Sequence, residues 1–236
     1  MSLSSVNVAP ENAMHVLDDN QGWISLLRHS GEEVDIVNAA RVSFGKMRTE
    51  MNDADKKLLS FLIKEGHFAP LEHITFTFLI HCPLFVRSQW MRHRCFSYNE
   101  ISRRYTEVDM EFYIPTKFRV QSKDNKQASE DGSFISEKMA KTARSIFIDR
   151  CKTLLKDYND MIEAGVCREQ ARAILPQNMM TTYYASTDLR NLLHFLSLRM
   201  DSHAQWEIRQ YANAMHGMIE PLYPNVIEAF NNGLIR

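Results

Sequence analysis

The spacing of apolar and polar residues predicts a chain that mixes long helices with short strands. In "KKLLSFLIKEG" the apolar residues recur at helical spacing and share one face, namely Leu58, Leu59, Leu62 and Ile63. Asp53 or Asp55 is expected to cap the start of this helix. Gly66 stands where a left-handed residue commonly ends one.

A strand and a second helix are expected next. The segment "HITFTFLIHC" alternates apolar with polar residues, which predicts a strand with one buried face. Pro83 is expected to open the following helix. Within that helix Gln89, Arg92 and His93 would lie at i, i+3 and i+4, so that one face carries all three polar groups.

The second half of the chain predicts further helices separated by one strand. A long helix is expected from about Ser136 to Ile162, ending at Gly165, and a short one in "CREQARAIL". The segment "NMMTTYYAS" predicts a strand, and Asp188 is suited to cap the helix "LRNLLHFLSLRM". A last amphipathic helix, "HAQWEIRQYANAMHGMIE", is expected to end before Pro221.

Together these elements favour an α+β fold, in which a mixed or antiparallel sheet packs against long helices, over a regular βαβ alternation. We expect a single domain over residues 1–236, with 44% hydrophobic residues to fill its core. The polar stretch "VQSKDNKQASEDGS" is expected to project from it as a mobile surface excursion at about residues 121–135.

Charge and cysteine content narrow the class of protein. The chain has 28 Lys and Arg against 29 Asp and Glu, a formal net charge of -1, so no overall positive field would attract a polyanion. The four cysteines form no C-x-x-C pair, and the N-terminus lacks the apolar core of a signal peptide. No apolar stretch approaches the roughly 20 residues that cross a bilayer. We therefore expect a soluble, cytoplasmic protein with reduced cysteines and no membrane or nucleic-acid partner.

The segment "RHRCFSYNEISRRY", residues 92–105, concentrates cationic hydrogen-bonding groups. It holds four arginines and one histidine but no lysine. The planar arginine fork binds phosphates and carboxylates bidentately, so the segment predicts an anion site. Because the net charge of the chain is close to zero, a small phosphorylated ligand is favoured over a nucleic acid.

Two other interpretations of this segment stay open from the residues alone. One is a set of surface ion pairs, each worth only about 0–1 kcal/mol, with the carboxylates of Glu100, Glu107, Asp109 and Glu111. The other is a module for RNA or single-stranded DNA, in which aromatic side chains stack on bases. That module predicts oligonucleotide binding that weakens steeply with salt.

Other chemistries have weaker support. The chain has no G-x-G-x-x-G, P-loop or H-E-x-x-H signature, so side chains would have to hold a phosphate. His67, Glu72 and His73 are metal-ligating types, but their spacing matches no familiar site, and no metal is expected. For Cys95 a small buried residue is favoured over a thiolate nucleophile, and for Ser102 a phosphate contact is favoured over a nucleophile.

The run Arg92-His93-Arg94, followed by seven residues and then Ser102, matches an RHR-x7-S motif. By this motif the chain resembles the flavin-dependent thymidylate synthases, the ThyX family. The similarity continues through "GHFAPLEH", "FVRSQWMRHR", "SYNEIS", "EFYIP", "REQARAILP" and "LRNLLHFLSLRMDSHAQWEIRQY", which cover most of residues 34–215.

The resemblance implies a reaction and an assembly. In that reaction dUMP is methylated at C5 with the methylene of 5,10-methylenetetrahydrofolate, and NADPH reduces the FAD that supplies the hydride. The products would be dTMP and tetrahydrofolate. The family also implies a homotetramer with its sites at subunit interfaces.

Site residues follow from the same resemblance. Those implied for the dUMP pocket are Gln89, Arg92, Glu100, Ser102, Arg103, Arg104, Arg172 and Arg199. Those implied for FAD are His67, Ala69, Arg92, His93, Arg94, Glu100, Asp188, Arg190, His194 and His203. Arg199 resembles the arginine that activates the uracil ring, where a permanent positive charge stabilises negative charge on the pyrimidine. No cysteine nucleophile is then required.

Three positions depart from the pattern expected of the family. Ala69 stands where a hydroxyl residue is frequent, Arg103 where glycine is frequent, and Asp188 where asparagine is frequent. The bulk of Arg103 would change how the phosphate is held. Arg199 also lies about 180° round its helix from Arg190, so one face is expected to serve the flavin and the other the pyrimidine.

Overall fold

The computed structural model describes residues 5–106, 110–123, 125–126 and 129–233. Its strands are β1 (Met14–His15), β2 (Trp23–Ser30), β3 (Thr75–Pro83), β4 (Ser97–Glu100), β5 (Arg119–Gln121), β6 (Ser129–Phe134) and β7 (Met180–Asp188). Its α-helices are α1 (Glu33–Arg41), α2 (Asp53–Lys64), α3 (Leu84–Trp90), α4 (Glu137–Glu163), α5 (Arg168–Ala171), α6 (Leu189–Arg199), α7 (Trp206–Ile219) and α8 (Pro224–Asn231). Short 3₁₀ helices span Val42–Phe44, Ala69–His73 and Arg172–Ile174.

Five of these strands form one sheet in the order β1-β2-β3-β7-β4, and β5 pairs with β6 in a separate ribbon. The pairing is antiparallel at each of these strand contacts. The antiparallel sheet and its covering helices confirm the predicted α+β class. The expected helix from about Ser136, the short helix after Cys167 and the strand before Asp188 are confirmed as α4, α5 and β7.

Strand β3 lies at the centre of the sheet and is buried on both faces, so the expectation of one buried face is wrong. The side chains of Thr77 and His81, on the face predicted to be polar, are only 6% and 1% exposed. His81 Nδ1 lies 2.7 Å from the hydroxyl of Thr182, and its ring stacks on Trp23. A polar residue is accepted in such a place because its hydrogen bonds are made inside the protein.

An aromatic cluster fixes the end of α3 against α6 and α7. Trp90 is fully buried, with its ring centroid 4.7 Å from that of Phe195 and 5.9 Å from that of Tyr211. Burying one large apolar side chain contributes about 1.5–3 kcal/mol. This packing brings the segment after α3 close to α6, which is where much of the candidate site lies.

Helix boundaries follow local sequence signals in part. Gly66 follows α2 with a left-handed φ of 72°, as predicted. The cap of α2 is Asn52, whereas Asp53 or Asp55 was expected. Asn52 Oδ1 accepts from the backbone N–H of Asp55, and the Asp55 carboxylate accepts from the backbone N–H of Asn52. Asp55 therefore closes a capping box without being the cap itself.

Helix α3 starts after Pro83 as predicted but is shorter than expected. It ends at Trp90, and Met91 is its C-cap. Arg92 and His93 lie beyond the helix, so the prediction that they share a helical face with Gln89 is wrong.

Helix α8 was not predicted because its signals are partly long-range. Pro224 occupies its first position, where proline is tolerated. The first turn of α8 is capped from α1, since the carboxylate of Glu33 accepts from the buried backbone N–H of Val226 (2.9 Å) and from the side-chain Nδ2 of Asn225. A cap supplied from so distant a part of the chain leaves no local pattern.

The polar stretch expected to project from the domain carries regular structure in the described residues. Strands β5 and β6 pair across it, and Arg119 Nε donates to Ser129 Oγ at 3.1 Å. Positions outside the described residues include Asp124, Gln127 and Ala128 of this stretch, and Glu107 and Asp109 of the proposed surface ion pairs.

Candidate active site

A cavity of about 690 Å³ opens beside the end of β4. Its charged and hydroxyl lining includes Arg87, Glu100, Ser102, Arg103, Glu169 and Arg172. Four of these were predicted for the nucleotide pocket, namely Glu100, Ser102, Arg103 and Arg172. The cavity therefore brings together cationic and hydroxyl groups from segments about 70 residues apart, which suits a phosphate.

The position of Glu100 is fixed by α3 and by β7. Arg87 Nη2 donates to Glu100 Oε2 at 2.5 Å, and the hydroxyl of Thr181 donates to Glu100 Oε1 at 2.8 Å. Backbone pairing of Glu100 with Tyr183 places the carboxylate at the end of β4. Glu100, one of the carboxylates considered as a surface partner of the 92–105 segment, is thus paired with a guanidinium on α3.

A tight turn follows β4 and shapes the cavity wall. The backbone N–H of Tyr105 donates to the Ser102 carbonyl at 3.1 Å, and Ser102 Oγ accepts from Arg104 N at 3.3 Å. Arg103 is buried, and burial lowers the pKa of its guanidinium. The turn therefore directs Arg103 inward, although a glycine is frequent here in the resembling family.

Two further arginines border this cavity in different ways. Arg172 lies on a 3₁₀ helix, lines the cavity and is exposed to solvent. The Arg104 side chain forms an ion pair with Glu169 (3.2 Å) and lies over the ring of Tyr105. Since Glu169 is a lining residue, Arg104 lies at the rim of the same cavity.

A second group forms around Arg199, at the end of α6, which does not line the cavity. Arg199 Nε donates to His93 Nε2 at 3.0 Å, and its Nη2 donates to the backbone carbonyl of Gln89 at 3.3 Å. Both acceptors are uncharged groups when the imidazole is neutral. The pKa of Arg199 is lowered by burial. The guanidinium is thus held in place by neutral oxygen and nitrogen atoms.

His93 is neutral near pH 7. Burial lowers the pKa of its imidazole to about 4, and the nearby Arg199 and His194 act electrostatically in the same direction. A guanidinium can only donate, so His93 Nε2 must be the acceptor and Nδ1 carries the proton. The ring is fixed further by Phe195, whose centroid lies 4.8 Å away.

Two residues predicted for FAD, Asp188 and Arg190, lie at the start of α6. Arg190 Nη1 donates to Glu72 Oε1 at 2.5 Å, and its guanidinium lies 5.7 Å from the ring centroid of Phe68. Asp188 caps α6 as predicted, accepting from Asn191 N at 2.9 Å. The pairing of Glu72 with Arg190 gives this carboxylate a structural partner other than a metal.

The remaining predicted flavin residues present exposed side chains. These are His67, Ala69, Arg92, Arg94, His194 and His203. His203 Nδ1 lies 2.8 Å from Asp201 Oδ1, and the ring of His194 lies 6.3 Å from that of His93. His93 contacts both His194, which was predicted for the flavin, and Arg199, which was predicted for the pyrimidine. The two expected faces of α6 therefore meet at this one ring.

Some features were not anticipated from sequence. The segments quoted for the family resemblance contain three residues that had no assigned role but contact the predicted site. Arg87 contacts Glu100, Gln205 contacts Gln89, and Glu207 contacts Gln205.

Cys95 is exposed, so the favoured interpretation of a small buried residue is wrong. Among the described residues, no three His, Cys, Asp or Glu side chains are placed to hold a metal ion. None of the described helices is both long and apolar enough to cross a membrane.

Comparison with known proteins gives consistent matches. Residues 25–225 match the Thy1 family model, described as thymidylate synthase complementing protein. The chain is 40% identical to the flavin-dependent thymidylate synthase of Thermosipho africanus, over 89% of this chain and 91% of that one. It is 41% identical to the enzyme of that name from Thermus thermophilus, over 93% and 78%. The solved structure of a UMP/dUMP methylase, PolB from Streptomyces cacaoi bound with 5-Br dUMP, matches with a TM-score of 0.81 at 31% identity, over 90% and 96%.

Proposed function

The chain belongs to the flavin-dependent thymidylate synthase family, as its motifs predicted, and on that premise we propose that it converts dUMP to dTMP. The reaction consumes 5,10-methylenetetrahydrofolate and NADPH and yields tetrahydrofolate and NADP⁺. The enzyme is a methyltransferase with FAD as its cofactor. One observation carries the proposal: among the residues that the structure describes, the hydrogen bonds of the partly buried Arg199 guanidinium run to neutral partners.

A cation held in this way suits activation of a uracil ring. Had Arg199 been paired with a carboxylate, much of its field would be cancelled before substrate arrived. Neutral His93 and the Gln89 carbonyl orient the guanidinium but leave its charge for the pyrimidine carbonyls. As negative charge develops on the ring, Arg199 stabilises it, and electron density at C5 rises without a covalent bond to the protein.

The cavity beside β4 is proposed to hold the nucleotide phosphate. Ser102, Arg103 and Arg172 line it and Arg104 borders it, so donors converge from the turn and from the 3₁₀ helix. Glu100, fixed by Arg87, is an acceptor suited to a ribose hydroxyl. The other nucleotide residues we propose, Gln89, Arg92 and Arg199, would contact the base and its surroundings.

The residues proposed for FAD fit an anionic cofactor. Arginine and histidine donors suit its pyrophosphate, and the proposed set is His67, Arg92, His93, Arg94, Arg190, His194 and His203, with Ala69, Glu100 and Asp188 beside them. Arg190 is already oriented by Glu72 and Phe68, which lowers the entropic cost of binding. FAD held by these residues would, when reduced by NADPH, supply the hydride of the reaction.

The absorbance spectrum of the purified protein tests this function directly. We expect a flavin spectrum, or its appearance when FAD is added, and bleaching by NADPH in the absence of oxygen. Adding dUMP and 5,10-methylenetetrahydrofolate should then produce dTMP. A protein with no affinity for FAD would contradict the proposal, and the same assay with NADH measures the preference between the two reductants.

We further propose a homotetramer in which each site combines two subunits, and a single domain over 1–236. Within one chain the predicted nucleotide residues fall into two groups, since Arg199 is not part of the cavity lining that contains Ser102 and Arg172. A neighbouring subunit would unite the two groups. At a dUMP concentration so low that Ser102→Ala chains and Arg199→Ala chains each turn over poorly on their own, mixing the two should restore part of the activity. Mixed tetramers with no recovered activity would place each complete site in one subunit.

The cytoplasm is the location we propose. Cys82, Cys95, Cys151 and Cys167 are all free thiols, which fits a reducing compartment. Cell fractionation with an antibody against the native protein tests this proposal, and recovery in an oxidising compartment would contradict it.

A further inference from the structure

A relay of side-chain hydrogen bonds joins Gln89 to the β5–β6 ribbon. Gln89 Nε2 donates to Gln205 Oε1 at 2.5 Å, and Gln205 Nε2 donates to Glu207 Oε2 at 2.9 Å. The other carboxylate oxygen, Glu207 Oε1, accepts from Arg119 Nη2 at 2.5 Å. Arg119 in turn is held by Ser129 Oγ and lies over the Trp206 ring, 5.0 Å from its centroid. The relay thus reaches, through Ser129, the polar stretch that was expected to be a surface excursion.

Glu207 sets the direction of the whole relay. Its carboxylate is buried, and both oxygens accept, one from Arg119 and one from Gln205. Gln205 must therefore turn its NH₂ toward Glu207 and its carbonyl oxygen toward Gln89. Gln89 must then turn its own NH₂ toward Gln205. The carbonyl oxygen Oε1 of Gln89 is the end of this amide that points away from the relay.

Gln89 also adjoins Arg199, because the backbone carbonyl of Gln89 accepts from Arg199 Nη2. A pyrimidine placed against the Arg199 guanidinium would thus lie beside the Gln89 side chain. Uracil carries a donor at N3–H, whereas cytosine carries an acceptor at N3. An amide oxygen at this place would bind the first and repel the second.

We propose that Gln205 and Glu207 are positioning residues for base selection, which fix the Gln89 amide so that its Oε1 accepts from uracil N3–H. This inference rests on the proposed function. The acceptor at N3–H and the cation at the pyrimidine carbonyls act together, since the first pushes electron density into the ring and the second stabilises the negative charge that develops on the carbonyl oxygens. Arg119 of β5 contributes by holding Glu207 with both oxygens as acceptors.

A single substitution should reverse the direction of the two hydrogen bonds that join residue 207 to Gln89. In Glu207→Gln the new amide keeps its oxygen toward Arg119 and presents NH₂ to Gln205. Gln205 then turns its carbonyl toward residue 207 and its NH₂ toward Gln89, so that Gln89 presents NH₂ to the base. The dUMP dissociation constant of the FAD-loaded enzyme should rise about 10-fold or more, because a donor then faces a donor. The ratio of the dCMP to the dUMP dissociation constant should fall by at least about 10-fold.

The matched control is Glu33→Gln, the same change at another buried carboxylate that accepts two hydrogen bonds. Glu33 caps α8 and lies outside the relay, so this variant should leave the dCMP-to-dUMP ratio at its wild-type value. A loss of selectivity shared by both variants would assign the effect to general destabilisation and overturn the proposal.

Two further variants keep the test decisive if Glu207→Gln does not fold. Gln205 is exposed, so Gln205→Leu should fold, free the Gln89 amide to rotate and lower the same ratio several-fold. In a Gln89→Ala background, Gln205→Leu should change nothing further, because it acts through Gln89. Binding is measured by titration calorimetry with dUMP and dCMP. An unchanged ratio in folded Gln205→Leu overturns the relay, whereas a wild-type protein that binds neither FAD nor dUMP contradicts the proposed function instead.

Discussion

Two arginines at the cavity beside β4 and Arg199 in its own cluster are held by partners of opposite kinds, carboxylates at the cavity and neutral groups in the cluster. At the cavity, Arg87 is paired with Glu100 and Arg104 with Glu169. In the cluster, the hydrogen bonds of Arg199 run to a neutral imidazole and a backbone carbonyl. A paired guanidinium is well fixed but its field is largely cancelled, whereas one held by neutral acceptors keeps its charge for a ligand.

This difference assigns substrate binding to the cavity and turnover to the cluster around Arg199. Groups at the cavity are suited to hold a phosphate, which carries the same charge throughout the reaction. Contacts that are equally strong in the ground and transition states change KM and leave kcat unaltered. Arg199 faces charge that grows only as the reaction proceeds, so its loss should appear in kcat. Variants in the two regions should therefore differ in kind as well as in size.

Removing Arg199 should give the largest effect. For Arg199→Ala we expect kcat to fall by about 10²–10³-fold, the usual loss when a group that stabilises developing charge is deleted. The flavin spectrum should persist, because the proposed flavin groups remain. Arg144→Ala is a suitable control, since Arg144 also donates to neutral carbonyls, those of Ile114 and Pro115, but has no place in the proposed site. An Arg199→Ala enzyme that keeps its kcat while KM rises would remove the distinction between the regions.

Adding a carboxylate to the cluster tests the role of its neutral partners. Both His93→Gln and His93→Glu keep an oxygen that can accept from Arg199 Nε, but only the second cancels the guanidinium charge. We expect kcat of His93→Glu to be about 10–100-fold below that of His93→Gln. Steady-state kinetics at saturating FAD measure the comparison. Because both variants remove the imidazole, any effect of its absence on flavin binding is common to the two. Equal kcat values would show that the charge of Arg199 need not be free.

The sequence could predict a feature of these regions when the residues that determine it are neighbours along the chain, and could not when they are far apart. Gly66 and Asp188 were assigned correctly because a helix end and a helix cap are set by neighbouring residues. The predicted shared face of Gln89, Arg92 and His93 failed because α3 ends at Trp90. Its end is fixed by packing against Phe195 and Tyr211, which lie far away along the chain.

The candidate site shows the same limit. Motif similarity identified Glu100 and Arg199 as site residues. It did not identify their partners, a guanidinium for Glu100 and neutral acceptors for Arg199, because these are brought close only by the fold. Arg87 reaches Glu100 because α3 packs against β7, the strand that pairs with β4, and His93 reaches Arg199 because the segment after α3 packs on Phe195 of α6. Residue types can be read along the chain, but the sign and pairing of the charge around them cannot.

A smaller effect is expected from the exposed arginine of the cavity. For Arg172→Ala the KM for dUMP should rise about 10-fold, since a hydrogen bond to a charged group contributes about 1.5–3 kcal/mol and an exposed one lies at the low end. The kcat should stay within about 2-fold of wild type, because the phosphate charge does not change in the reaction. Arg150→Ala, an exposed arginine on α4, supplies the control. A fall in kcat equal to that of Arg199→Ala would merge the two regions into one catalytic unit.

The last prediction concerns stability, not turnover, and follows from the neutral state of His93. Its pKa in the folded protein is lowered to about 4, whereas an unfolded histidine titrates near 6.5. Between these values the unfolded chain binds a proton that the native site rejects, so the free energy of unfolding falls as the pH drops from about 6.5 toward 4. One such group contributes at most about 1.4 kcal/mol per pH unit. The groups facing the ring are Arg199 and His194, and both disfavour its charged form. Urea unfolding at several pH values should show a shallower loss for His93→Gln than for wild type, and parallel curves would mean that folding does not lower the pKa of His93, so that the site would not hold the ring in its neutral form beside Arg199.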